Sequence, residues 1–176
     1  MYENHVIFQV GDQCYSINSL KVKTIEGAVR TEPLPGAPST ILGIGELRGE
    51  FHPICSLHKK FGLPVPEGKP VQYLFVETAD GMIGVVTDAV RENAMIDTSE
   101  LNSVPVIVRN DNTGYVSGIV RHKGELITMM DPDKILTRDE ITVIKSCMNT
   151  LRQEQEKKEA ELKALQEQAE KEKASE

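Results

Sequence analysis

Cys55 and His58 stand three positions apart, the one place in this 176-residue chain where a nucleophile and a base are close in sequence. On a helix that spacing would put thiol and imidazole on one face, where the ring could take the thiol proton. Pro53 and the alternation of Phe51 with Cys55 place the cysteine in a strand instead, and the two side chains then point apart. Cys55 reads as a small buried hydrophobe. His52 could join the pair as a third zinc ligand, but no second pair of ligands follows at a recognised spacing, and the histidines read as solvated. Gly43-x-Gly45-x-x-x-Gly49 misses the dinucleotide fingerprint by one residue and leads into a strand, so no phosphate cradle is implied. P-loop and HExxH patterns are absent. The carboxylates are dispersed, and spacing alone leaves open whether two of them meet across a cleft.

The elements that must position these residues are strands. Val6, Phe8 and Val10 alternate on one face, Gly11-Asp12-Gln13 makes a turn, and Cys14 to Ile17 returns, which predicts a hairpin. Leu20, Val22 and Ile25 continue the apolar signal to Gly27, after which four residues, Pro33, Pro35, Gly36 and Pro38, mark a loop. The stretch Ile41 to Leu63 follows, with Gly43, Gly45 and Gly49 around a charged tip at Glu46 and Arg48. Gly49 tolerates positive φ, so a tight reversal there leaves Arg48 at its rim.

The pattern then repeats. Gly118-Ile119 precedes Gly124-Glu125 as Gly43-Ile44 precedes Gly49-Glu50, at an offset of 75 residues. Phe75 follows Phe8 at 67, and Ile83, Val85 and Val90 follow Tyr15, Ile17 and Val22 at 68. Two copies of a small β module are predicted, with barrel one over residues 5–63 and barrel two over residues 71–136. Pro64, Pro66, Gly68 and Pro70 read as a stiff connector at the seam. Modules of about 65 residues are marginal alone, so the copies should pack together and leave a groove between them. Asn110 to Gly114 reads as a surface loop tip.

Asp131-Pro132 suits an N-cap with proline at the first helical position. Thr137 and Glu140 then have capping-box spacing, and Ile141, Ile144, Met148 and Leu151 recur on one helical stripe. The stripe turns polar at Gln155 and Lys158 before Leu162, Leu165 and Ala169, which weakens it as a coiled-coil seam. Residues 138–176 are predicted as a helical tail, packed to about Leu151 and solvated beyond, with self-association through the tail as the second option.

Net charge is −7, and neither the part before Thr137 nor the tail is basic, so nucleic acid is excluded as a partner class. No stretch approaches the roughly 20 apolar residues that cross a bilayer, and Met1 to Val10 lacks a signal-peptide pattern, so the chain reads as cytoplasmic. Three unpaired cysteines suit a reducing compartment.

Residues 5–136 resemble the CheW family of chemotaxis coupling proteins. The resemblance rests on Phe8-x-x-Gly11-x-x-x-Tyr15-x-Ile17, on Gly43-x-x-x-Leu47-Arg48-Gly49-x-x-x-Pro53-x-x-x-Leu57, on Gly84 to Val90, and on the closing Gly118 to Leu136 with Gly124, Leu126 and Asp131. It implies a mainly β fold of two tandem SH3-like five-stranded β-barrels in residues 1–137, plus a long C-terminal α-helix. It also implies no catalysis and no cofactor, and a role as adaptor, with a self-assembling scaffold or motility regulator as the alternative. The implied partners are a chemoreceptor cytoplasmic tip near the inter-barrel groove and the regulatory domain of a CheA-type histidine kinase at the barrel ends. The positions this places in contact with partners are Val22, Thr24, Ile25, Gly43, Ile44, Glu46, Leu47, Arg48, Gly49, Val86 and Val90. Three departures stand out: Thr24 where the family commonly has glutamate, Glu46 where it has asparagine, and Ser56 where it has aspartate. Glu26 or Glu46 would then be the carboxylate for Arg48.

Overall fold

The computed structural model describes residues 1–102 and 113–175. Among these, eleven strands run in chain order as β1 (Tyr2–Val10), β2 (Gln13–Asn18), β3 (Val22–Glu26), β4 (Thr31–Glu32), β5 (Ile41–Leu47), β6 (Glu50–Ser56), β7 (Gln72–Thr78), β8 (Gly81–Thr87), β9 (Ala89–Asp97), β10 (Val116–His122) and β11 (Glu125–Met130). A short helix α1 (Leu57–Lys60) follows β6, and α2 (Arg138–Ala174) closes the chain. The loop tip predicted from Asn110 lies outside the described residues as far as Asn112.

Two barrels are present, and the repeat is real in three dimensions. The β5–β6 and β10–β11 hairpins turn through Arg48-Gly49 (φ 52° and 82°) and Lys123-Gly124 (φ 49° and 81°). Each hairpin also carries an irregularity just before its first glycine partner, between Ile41 and Gly43 and between Val116 and Gly118. The parallel contacts correspond too, β11 with β2 and β6 with β8.

The strands are shared out differently from the predicted tandem. One sheet has the order β10-β11-β2-β1-β9, barrel A, and the other β3-β7-β8-β6-β5-β4, barrel B. Each barrel therefore takes its first hairpin from one repeat and its remaining strands from the other, so the division at residues 5–63 and 71–136 does not hold. Connection length explains the exchange. A strand on the far side of β1 from β2 is antiparallel to β1 and hence parallel to β2, and reaching that place needs a crossover of about a dozen residues. Only Ser19–Lys21 separates β2 from β3, and only Asp88 separates β8 from β9. Each third strand therefore runs on into the opposite sheet, β3 beside β7 and β9 beside β1.

Strand alternation then builds three cores. Val6, Phe8 and Val10 of β1 and Leu74 and Val76 of β7 point into a shared core between the barrels, joined by Tyr15, Cys55 and Tyr115. Ile7, Cys14 and Ile127 fill barrel A, and Ile54, Phe75 and Val86 fill barrel B. The contact between barrels thus has a packed core, while a groove of about 740 Å³ stays open between the β1–β2 turn at Gly11 and Asp12 and the link from Leu63 to Pro70. The proline stretch is likewise no seam, because Pro64 to Pro70 joins α1 to β7 within barrel B.

Helix α2 begins at the predicted capping box: Thr137 Oγ1 accepts from Glu140 N at 3.1 Å, and Thr137 N donates to Glu140 Oε1 at 3.2 Å. Ile144 is buried in the shared core, with Ile141 and Met148 packed beside it. From Arg152 to Ser175 every residue is exposed, as the polar gap in the stripe predicts. The acid-before-base pairs of this distal part, such as Glu154 with Lys158, are not closed as ion pairs, in keeping with the small stabilisation of such solvated contacts. No described helix is long and apolar enough to cross a membrane. Ending the chain after Leu151 should therefore leave the thermal midpoint within about 2 °C, while ending it at Thr137, which strips Ile141 and Ile144 from the core, should lower it by about 10 °C. Calorimetry of the two shortened chains checks both, and a large drop for the first would show that the distal helix is docked.

Candidate protein-interaction site

The reactive side chains do not assemble. Cys55 is fully buried in β6, and burial pushes its thiol up to about 12, with Lys60 and Glu140 acting in opposite senses. His58 lies in α1 facing away from it, with Nε2 3.0 Å from Asp88 Oδ1, while Asp88 Oδ2 accepts from Gly11 N at 2.6 Å. That corrects the expectation of solvated histidines: His58 is buried at the point where β8 crosses into barrel A, and His52 is half-buried against the edge of Phe75. Sequence reading also missed a chain of three polar residues in barrel A. Ser16 Oγ lies 3.2 Å from His5 Nδ1, and His5 Nε2 lies 3.3 Å from Glu3 Oε2. The order suggests a serine nucleophile, but Ser16 is fully buried, so substrate has no access and the chain serves to satisfy a buried histidine. Nothing in the spacing of residues 3, 5 and 16 announces it, because the contact is made across the β1–β2 hairpin.

The eleven predicted contact positions separate into a rim and its support. Gly43, Ile44 and Val86 are buried. Gly43 has φ 152°, and a Cβ there would stand 2.0 Å from the carbonyl oxygen of Glu32, so glycine lets the chain before β5 pass close against that strand. Ile44 pairs with Pro53, and Val86 lies in the barrel B core. Val22 and Val90 are half-buried at equivalent points of the two crossing strands, and both pack on the shared core.

The rest lie at the surface, except Leu47. On edge strand β3, Ile25 is 41% exposed, and the Thr24 hydroxyl donates to Glu26 Oε1 at 2.9 Å. Lys23 beside them pairs with Glu77 at 2.7 Å and holds that carboxyl below its usual range. At the hairpin tip Leu47 turns inward on the barrel B core, and Glu46, Arg48 and Gly49 are exposed. Arg48 takes up left-handed backbone, a conformation non-glycine residues adopt at a cost of about 1 kcal/mol, and makes no ion pair or hydrogen bond among the described residues. Neither Glu26 nor Glu46 pairs with it. Ser56, the third departure, is buried and caps α1, its Oγ accepting from Lys59 N at 3.2 Å. Serine and aspartate are both good N-caps, so that exchange keeps its structural role.

The β5–β6 tip thus presents an unneutralised guanidinium, and edge strand β3, which β7 and β8 separate from that hairpin in the sheet order, presents an exposed isoleucine. Such a surface can bind a carboxylate together with an apolar side chain, and it offers no group for bond-breaking chemistry.

Residues 4–140 match the family model described as CheW-like domain. "Chemotaxis protein CheW" of Helicobacter pylori is 31% identical over 133 residues, covering 75% of this chain and 80% of that protein. The protein of the same description from Treponema pallidum is 27% identical over 141 residues, covering 77% and 83%. The crystal structure of scaffolding protein TtCheW from Thermoanaerobacter tengcongensis superposes with a TM-score of 0.71 at 26% identity, covering 80% of this chain and 96% of that one.

Proposed function

Because the chain belongs to the CheW-like domain family, we propose that it is a non-enzymatic cytoplasmic adaptor that couples a chemoreceptor tip to a CheA-type histidine kinase. The observation that carries this reading is Arg48, held in left-handed backbone at the end of a packed hairpin and without an ion pair or hydrogen bond among the described residues. A buried or paired arginine would be structural; this one is exposed, costs backbone energy to present and gains no ion pair or hydrogen bond among the described residues. The edge strand supports the same reading. Where the family commonly has glutamate, Thr24 donates to Glu26, so a carboxylate sits two residues on and on the same strand face.

Arg48→Ala is expected to weaken binding to a receptor tip or kinase regulatory domain by about tenfold or more, as for a truncated interface arginine. The thermal midpoint should stay within about 2 °C, because the side chain is exposed and has no hydrogen bond or ion pair among the described residues. Pull-down or titration with the kinase fragment reads the first effect and calorimetry the second. Unchanged binding would remove Arg48 from the interface, and joint loss of binding and folding would make it structural.

A further inference from the structure

The inner face of α2 does not fill all the space above barrel B. A cavity of about 290 Å³ remains, walled by Phe51, Met82, Ile83, Leu136, Ile141 and Met148. The polar groups at its edge are already satisfied: Asp80 accepts from Arg138 and Lys145 at 3.2 Å each, and Asp133 Oδ1 accepts from Ala79 N at 2.8 Å. What is left is apolar wall enclosing about twice the ~150 Å³ of an engineered apolar cavity that stays dry and takes up benzene.

Phe51, His52 and Met148 also border a second opening, of about 380 Å³, whose other walls include Glu50, Arg152 and Gln155. These three side chains line both openings and make up the wall common to the apolar chamber and the polar mouth, here called the neck. Burial lowers the proton affinity of His52, so the neck is uncharged at neutral pH. Arg152 lies one helical turn beyond Met148, on the same face of α2, and has no ion pair or hydrogen bond among the described residues. Glu50 is the one carboxylate at the mouth; it is 3.7 Å from His52 Nε2 and well exposed, so water screens its effect on an anion.

We propose that this chamber and mouth form a binding site for a medium-chain fatty carboxylate, its alkyl chain between α2 and barrel B and its carboxylate on Arg152. Apolar enclosure with a single free cation at the entrance selects both halves of such a molecule. The mouth shares the β5–β6 hairpin with the Arg48 rim through Glu50 and Phe51, and occupancy of the site would bear directly on how firmly α2 is held.

Calorimetric titration of the full chain with decanoate tests it. One saturable site is expected. Arg152→Glu should weaken decanoate about fivefold while leaving decanol within about twofold, since only the charge contact changes. Met148→Trp should close the neck and abolish both, and Met82→Trp, from the opposite wall, serves the same purpose if the first variant fails to melt cooperatively. The proposal is overturned by no saturable heat up to about 1 mM decanoate, by decyltrimethylammonium binding as tightly as decanoate, or by folded neck variants that bind as the parent does.

Discussion

Gly43→Ala is expected to destabilise the protein by on the order of 4 kcal/mol, and Gly118→Ala, at the equivalent place in the second repeat, by about 1–2 kcal/mol. At Gly43 a Cβ meets backbone, 2.0 Å from Glu32 O and 3.2 Å from Pro33 Cα, and the φ of 152° is one that alanine resists. Neither the carbonyl nor the proline can move without breaking the β4–β5 pairing of Glu32 with Ile44. At Gly118 the obstacle is the Leu101 side chain, 2.6 Å away, which can change rotamer. Since net stability is about 5–15 kcal/mol, the first substitution removes a large part of it. Urea denaturation of both variants reads the difference. Equal costs would mean that the passage of the chain beneath Gly43 is looser than described, and the Arg48 hairpin would then lack its anchor.

This asymmetry between matched glycines shows what the sequence carries and what it leaves out. The 75-residue repeat, the Arg48-Gly49 and Lys123-Gly124 turns, the capping box at Thr137 and the change in α2 after Leu151 were all legible, because each depends on neighbours within a few positions or on a simple period. The exchange of strands was not, because alternation gives β3 the same apolar pattern whichever barrel receives it. Its signature was nevertheless present in the three-residue and one-residue links after β2 and β8, too short for the crossover that a true tandem requires. Alternation also could not say that both faces of β1 and β7 are covered, which is why the shared core between the barrels was not read from it. At the candidate site the exposure of Ile25, Glu46 and Arg48 is set locally, by an edge strand and a turn, whereas burial of Ile44 and Val86 is a property of barrel B as a whole. The Ser16, His5 and Glu3 chain and the His58 contact to Asp88 join residues that only the pairing of strands or the crossing of barrels brings together.

Glu140→Ala is expected to cost about 3 kcal/mol, unusually much for a residue in the first turn of a terminal helix. Its carboxylate gathers three donors: Lys60 at 3.1 Å and Thr137 N at 3.2 Å on one oxygen, and the Thr40 hydroxyl at 2.8 Å on the other. The side chains of Lys60 and Glu140 are only 10% and 17% exposed, so removing the carboxylate strands a largely buried ammonium and also removes the side-chain half of the capping box, the bond from Thr137 N. Glu140→Gln keeps the cap and the Thr40 contact and should cost about 2 kcal/mol, most of it from the unpaired lysine. Lys60→Met combined with Glu140→Gln should recover most of that loss, since removing both charges also removes the desolvation penalty. The pH dependence follows from the same geometry. Burial raises the Glu140 pKa, but the Thr40, Thr137 and Lys60 contacts outweigh it and hold the carboxyl below its ordinary value of 4.5. A depressed folded-state pKa gives stability that is present above the unfolded value and is lost as pH falls through the folded one. The docking of α2 should therefore weaken in acid below that ordinary carboxylate range, and the Glu140→Gln variant should lose less stability between neutral and acid pH than the parent does. Urea denaturation of the parent, of the Glu140→Ala, Glu140→Gln and Lys60→Met variants and of the double variant, at neutral and acid pH, reads all four effects. Additive losses in the double variant would mean that Lys60 and Glu140 act independently, and the helix would then be held by Ile144 and its apolar neighbours alone.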